Sequence, residues 1–135
     1  MSDYTTVAVL SDIHGNIRAL NAVLEEVQRE QPDVIVVCGH THHQFDRRIG
    51  GYRVVNAGSV GMPYEGTPGA FWALLSPDLD LRKTEYDFER AVGEALSTGY
   101  PDPAHQGIIL NPPKSDEVAA FFEKFAADRG ERDLP

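Results

Sequence analysis

A chain of 135 residues with 41% hydrophobic side chains can bury one core and is short for a two-layer enzyme, so a single globular domain is expected rather than a disordered segment. Its net charge of -9 disfavours broad binding to nucleic-acid backbones or anionic membranes, and any phosphate group must be attracted locally. The single cysteine, Cys38, excludes an internal disulfide; the first six residues hold no basic or apolar leader, and apolar runs such as 70–75 fall far short of the roughly 20 residues a membrane span needs, so a cytoplasmic protein is expected.

In chain order, the β-branched run 5–10 predicts a central strand buried on both faces. Gly15 and Asn16 turn the chain, with Asn16 as the helix cap. Ile17, Leu20, Val23, Leu24 and Val27 then recur at helical spacing opposite Glu25, Glu26, Arg29 and Glu30, which predicts an amphipathic helix over 17–30. Pro32 ends it, and 33–38 reads as a second buried strand. A strand, helix, strand unit of this length fits a right-handed parallel crossover, with both strands ending on one edge of the sheet.

The middle of the chain predicts antiparallel hairpins. Residues 44–49 and 52–56 flank Gly50-Gly51, a turn signal requiring positive φ, and 70–75 and 79–86 flank Pro77-Asp78. Between them, 56–68 is a loop rich in Gly, Ser and Pro. Trp72 reads as core.

The last third is helical and less informative. Phe88, Ala91, Val92, Ala95 and Leu96 make a short helical face ended by Gly99 and Pro101. Residues 100–114 are proline-rich, with His105 read as a surface residue. Ser115 caps a helix whose Val118, Phe121, Phe122 and Phe125 form an apolar stripe that must pack on the sheet flank or on a partner, a homodimer being one way to cover it. Residues 129–135 read as a frayed charged tail. The division expected is a single domain over 1–135, with core motifs and sheet in 1–87, a helical extension in 88–128 and the tail beyond.

Two stretches carry the chemistry. Gly39-His40-Thr41-His42-His43 places three imidazoles in four residues at the end of an apolar run, and Ser11-Asp12-Ile13-His14-Gly15-Asn16 follows another. An isolated His-X-His is ordinarily a solvated turn, and an Asp at a strand end ordinarily a cap or turn residue. Repetition of strand, turn and ligand pair at one sheet edge points instead to a metal. In an extended segment, residues two apart leave the same face, so His40 with His42, and Asp12 with His14, are expected to chelate, His43 pointing away. A carboxylate with imidazoles suits a divalent transition ion: Mn, Fe, Ni or Zn.

These residues carry a resemblance. Asp-Ile-His-Gly-Asn after the first strand and Gly-His-Thr-His after a later one resemble the first and last motifs of the calcineurin-like metallophosphoesterases, and Asn56-Ala57-Gly58-Ser59 resembles the small-residue stretch that follows in compact bacterial members. The resemblance extends to about Asp87. It implies an α/β fold, a truncated metallophosphoesterase-like sheet with a parallel βαβ start, antiparallel hairpins and C-terminal helices. It also implies that Asp12, His14 and His42 hold one metal and that His40 belongs to a second. Asn16, whose helix start offers free N–H groups to a phosphate, is a candidate substrate contact with Asn56 and Ser59. Arg47, Arg48 and Arg53 could supply a local positive field.

The sequence departs from the family in its middle. The Gly-Asp motif whose Asp bridges two metals, the Gly-Asn-His motif and a further His are absent, with one helix and one strand between Asn16 and Gly39. If 34–38 lies beside the first strand, His40 takes the bridging position and the Gly-His-Thr-His place is vacant; if it takes the latter place, the central sheet loses a strand and leaves apolar surface uncovered. Two functions follow: a metal-dependent hydrolase of a small phosphate ester with reduced activity, in which Asp12 and His40 serve catalysis, or a metal-binding, catalytically silent member or interaction module.

Overall fold

The computed structural model describes residues 5–14, 16–49, 52–99 and 103–133. Gly15 and the pair Gly50-Gly51, on which two predicted turns rest, lie outside the described residues, as does the His105 side chain.

Strand β1 (Val7–Ser11) leads into helix α1 (Ile17–Glu30), which returns to β2 (Val34–Cys38) parallel to β1, in the register Val7 to Val34 through Ser11 to Cys38. Asn16 caps α1 as predicted, its side-chain oxygen accepting from the Ala19 amide at 3.1 Å. The helix ends at Gln31, whose left-handed φ of 48° precedes Pro32. Strands β3 (Gln44–Ile49) and β4 (Tyr52–Ala57) form one antiparallel pair, and β5 (Ala70–Leu75) and β6 (Leu79–Thr84) another. Because β5 also pairs antiparallel with β1, the main sheet has the mixed order β2-β1-β5-β6, and β3-β4 stands apart as a two-stranded sheet. Gln44 links the two sheets: its side-chain amide lies 3.2 Å from the Ala57 carbonyl and 3.0 Å from those of Trp72 and Arg82.

The core lies between α1 and the main sheet. Ala19, Val23 and Val27, one helical stripe, pack on Ala8, Leu10, Trp72 and Leu74, with Val60 closing the end nearest the loops. A fully buried Val or Leu side chain stabilises by about 1.5–3 kcal/mol, so this stripe holds the helix to the sheet. Trp72 is wholly buried, its indole N–H donating to Thr84 Oγ1 at 3.0 Å. It is core, as the sequence implies.

The second strand corrects its prediction. β2 is the edge of the sheet, with Ile35 47%, Val36 41% and Val37 61% exposed. A run of β-branched residues fits a strand covered on both faces, yet here it has a neighbour on one side only. The crossover places β2 beside β1, the first of the two arrangements the sequence leaves open, and the apolar surface expected of the second arrangement appears as well. β1 is likewise buried on one face and half-buried on the other.

Three helices complete the described chain: α2 (Phe88–Ser97), α3 (Pro103–Leu110) and α4 (Ser115–Asp133). Asp87 caps α2 through the Arg90 amide at 3.0 Å, and the Arg18 guanidinium clasps Glu94 to hold α2 to α1. α3 falls in the stretch read as proline-rich; Pro103 stands at its first position, where a missing N–H costs nothing. α4 continues to Asp133, through most of the residues read as a frayed tail. No described helix is long and apolar enough to cross a membrane.

Candidate metal centre

The two motif loops meet. Asp12 and His14 leave the end of β1, and His42 leaves the turn after β2; since β1 and β2 are parallel neighbours, both loops emerge at one rim. His42 Nε2 lies 3.2 Å from Asp12 Oδ1 and 3.1 Å from His14 Nε2, and His14 Nε2 is 3.8 Å from Asp12 Oδ1. One ligand atom from each residue lies within 4.8 Å of the others. Among the described residues this is the one such group of three.

The geometry suits an ion. With bonds of about 2.1 Å, two ligand atoms stand about 3.0 Å apart at a right angle and about 3.4 Å apart at the tetrahedral angle. Two of the three separations fall in that interval, and the third closes with a few tenths of an ångström of movement. Two of the three ligands are also oriented from behind. The Met62 carbonyl accepts from His42 Nδ1 at 2.9 Å, which leaves the Nε2 lone pair directed at the cluster. Asp12 turns Oδ1 inward while Oδ2 accepts the His40 amide at 3.0 Å.

The backbone at these ligands is unusual. Asp12, His14 and His42 have φ of 52°, 50° and 53°; among the described residues the only other non-glycine with positive φ is the helix cap Gln31. Left-handed backbone costs a non-glycine residue about 1–2 kcal/mol, and such outliers persist where the surroundings over-determine them. It also bears on the expectation that His40 and His42 chelate together, since His40 is not in the cluster. The chain bends at His40 and Thr41 and turns left-handed at His42, so strand alternation no longer applies. His42 swings back to Asp12 and is 9% exposed, whereas His40 stays exposed and outside the cluster, joined to it only through its amide. His43 donates through Nδ1 to the carbonyl two residues back, Thr41 O, at 2.9 Å.

The Gly-, Ser- and Pro-rich loop, from which Ser59 was expected to contact substrate, holds the site in shape. Residues 58–64 wrap the Asp12 turn: the Val60 amide donates to Ser11 O at 2.7 Å, Gly61 to Asp12 O at 2.9 Å, and Tyr64 to His42 O at 3.0 Å. A Cβ on Gly61 would stand 1.8 Å from Ile13 O, and one on Gly39 would stand 2.5 Å from Asp12 Oδ1, so both positions must be bare. Tyr64 stacks on His42, ring centroids 4.7 Å apart and planes at 26°. Burial, then the nearby Asp12 charge, raises the Tyr64 phenol above its ordinary value. The glycines were visible in the sequence as loop residues; nothing in the sequence marks Tyr64.

The three candidate substrate contacts lie differently. Ser59 is wholly buried, donating to Asp12 O at 2.9 Å and accepting from the Met62 amide at 2.9 Å, so it braces the Asp12 backbone with no face open to a substrate. Asn16, 6% exposed, spends its side chain on the α1 cap, on Tyr86 Oη at 3.0 Å and on Gly61 O at 3.4 Å. Its own amide closes a turn on Ile13 O at 3.0 Å instead of pointing to a phosphate. Asn56 is half-buried; it donates to Thr41 Oγ1 and accepts the Gly58 amide at 2.9 Å, tying β4 to the histidine turn. Arg53 is paired with Asp46 at 2.8 Å and the Arg47 guanidinium lies over the Phe45 ring, so these two cations are spent on the hairpin.

A mixed sheet with one carboxylate and two imidazoles converging at its strand ends defines an α/β protein with a group of side chains that could hold a metal ion. The calcineurin-like phosphoesterase superfamily domain matches residues 25–78, less than half of the chain, a span that includes the Gly-His-Thr-His turn and the 58–64 loop but begins after Asp12 and His14. A metallophosphoesterase from Sphaerobacter thermophilus shares the fold, with a TM-score of 0.63 at 13% identity, over 79% of this chain and 98% of that one. A hypothetical protein from Pyrococcus horikoshii OT3 aligns at 18% identity and a TM-score of 0.46, over 72% of this chain and 38% of its own. No curated protein sequence matches. The resemblance carried by the two motifs is thus met by a calcineurin-like phosphoesterase match over 25–78, and the chain shares the fold of a metallophosphoesterase.

Proposed function

We propose that the protein is a metal-dependent hydrolase of small phosphate esters, with Asp12, His14 and His42 as the ligands of one divalent ion. The observation that carries this is the convergence of Asp12 Oδ1, His14 Nε2 and His42 Nε2 within 4.8 Å on a rim where backbone strain is concentrated at the same three residues. A bound divalent ion would supply Lewis-acid polarisation of a phosphoryl oxygen and a water more readily deprotonated at neutral pH. Three protein ligands leave coordination positions open, the mark of a catalytic rather than a structural centre.

The chain's own residues do the rest. Asp12 would bind the ion through Oδ1 and, through Oδ2, fixes the His40 backbone. His42 is locked by the Met62 carbonyl and Tyr64, so its ring need not reorganise during reaction. His40, exposed and tied by its amide to Asp12, is assigned the proton transfer to the departing ester oxygen. In the overall reaction water adds to phosphorus, the ester P–O bond breaks, and the alcohol leaves carrying one of the water's protons. The net charge of -9 and the pairing of Arg53 favour small esters over polyanionic ones.

A second function is favoured by one observation: among the described residues a single group of three ligands exists, enough for one ion. A chain of this kind can bind metal and turn nothing over. The two are separated by assaying an activated phosphodiester with metal-loaded protein and its Asp12→Ala variant. Turnover abolished by the substitution supports the hydrolase; metal bound without turnover supports the silent binder.

A further inference from the structure

The cation cluster opens on its His42 side into a groove of about 500 Å³ between the histidine turn and α4. Its floor is Tyr64, which stacks on His42, and its wall is the apolar stripe of α4, Val118, Phe122 and Phe125. Phe122 is 54% exposed and Phe125 48%, so the stripe is not consumed by the core. The helix is tied in place at its start, where the Gly66 amide donates to Pro113 O at 3.0 Å and Gly66 abuts the Lys114 side chain. Tyr64 stands two residues before that tie. The same short segment therefore positions the ring under His42 and the helix over it.

We propose that this groove binds the apolar, aromatic arm of the phosphate ester whose phosphoryl group is held at the Asp12-His14-His42 cluster. The inference rests on the phosphoesterase function proposed above and adds the substrate class to it. His42 is common to both places: its Nε2 faces the cluster and its ring borders the groove, so a molecule lying across it spans the two. Among the described residues the groove holds no lysine or arginine, and an acid, Glu123, lines it. A second phosphate or a sugar-phosphate chain gains nothing there, whereas a flat ring gains stacking on Tyr64 and contact with Phe122. Apolar burial supplies the attraction that a chain with a net charge of -9 cannot supply to an anion from its overall field.

The test is calorimetric binding of two non-hydrolysable probes, methylphosphonate and 2-naphthylphosphonate, to protein with and without added Mn or Zn. Metal-loaded protein is expected to bind the naphthyl probe about tenfold or more tightly than the methyl probe. Phe122→Ala is expected to erase most of that ratio while leaving methylphosphonate affinity unchanged, which also shows that the variant is folded and loaded; Phe122→Leu keeps most of it. If both probes bind only with metal and with equal affinity, the groove proposal is overturned and the phosphoesterase function stands. If methylphosphonate does not bind in the presence of metal, that function falls and the groove proposal with it. Naphthylphosphonate binding that is indifferent to both metal and Phe122 also overturns it.

Discussion

Asp12 and His42 face one another at 3.2 Å across two loops that are 30 residues apart in sequence, and each adopts a left-handed backbone to do so. The pair is assembled by the parallel pairing of β1 and β2, which brings the ends of both strands to one rim. It is completed by the turn at 39–43, which carries His42 back over Asp12.

Gly39 leaves the room that this approach requires. A methyl group there would stand 2.5 Å from Asp12 Oδ1, so Gly39→Ala is expected to displace the carboxylate. The expected result is a loss of about 10–100-fold in metal affinity, the scale seen when groups supporting a ligand are disturbed. Isothermal titration with Zn or Mn measures it, and an unchanged affinity would contradict the role given to this glycine.

Ser59 is expected to act on stability. Removing its hydroxyl leaves the part-buried Met62 amide without its acceptor and Asp12 O with one donor fewer, so Ser59→Ala should cost about 1–3 kcal/mol in urea unfolding. A variant of unchanged stability with altered substrate affinity would instead return Ser59 to the role of substrate contact.

Much of the architecture was legible because local pattern and tertiary environment agree. The α1 stripe of Ala19, Val23 and Val27, the Asn16 cap, and strands such as 44–49 and 70–75 follow from spacing and turn chemistry alone. The exposure of β2 was not legible. Val34–Cys38 reads as buried by composition, and only pairing, which depends on residues elsewhere, decides that it lies at an edge. The ligand set was legible as residue types, but the direction of each ring was not. His42 reaches Asp12 through a left-handed turn where the sequence predicts an extended segment, and Tyr64 enters through a loop whose path no periodicity describes.

Asp33 sets part of the acid stability. The backbone N–H of Thr6, then that of Thr5 and the Thr5 hydroxyl, hold its carboxyl below its ordinary value of 3.8. A carboxyl depressed in the folded state contributes stability above its unfolded pKa and loses it as pH falls through the lower folded value. Urea midpoints of the wild type and Asp33→Asn should therefore differ above pH 3.8 and converge at more acid pH. A gap that stays constant into the acid range would refute the assignment.

The uncovered edge at β2 predicts self-association. Val37 is 61% exposed on a strand with one free side, a template for pairing with another chain. Val37→Lys should shift light-scattering mass toward the monomer at high protein concentration without lowering the unfolding midpoint. Unchanged association would show that this edge is not the contact.

The central claim is that Asp12, His14 and His42 bind one cation together. Elemental analysis of protein equilibrated with Mn or Zn and then freed of unbound metal tests it most directly, on the wild type and on His42→Ala and His40→Ala. About one ion per chain is expected in the wild type and in His40→Ala, and none in His42→Ala. Metal retained in full by His42→Ala, or absent from the wild type, would contradict the account.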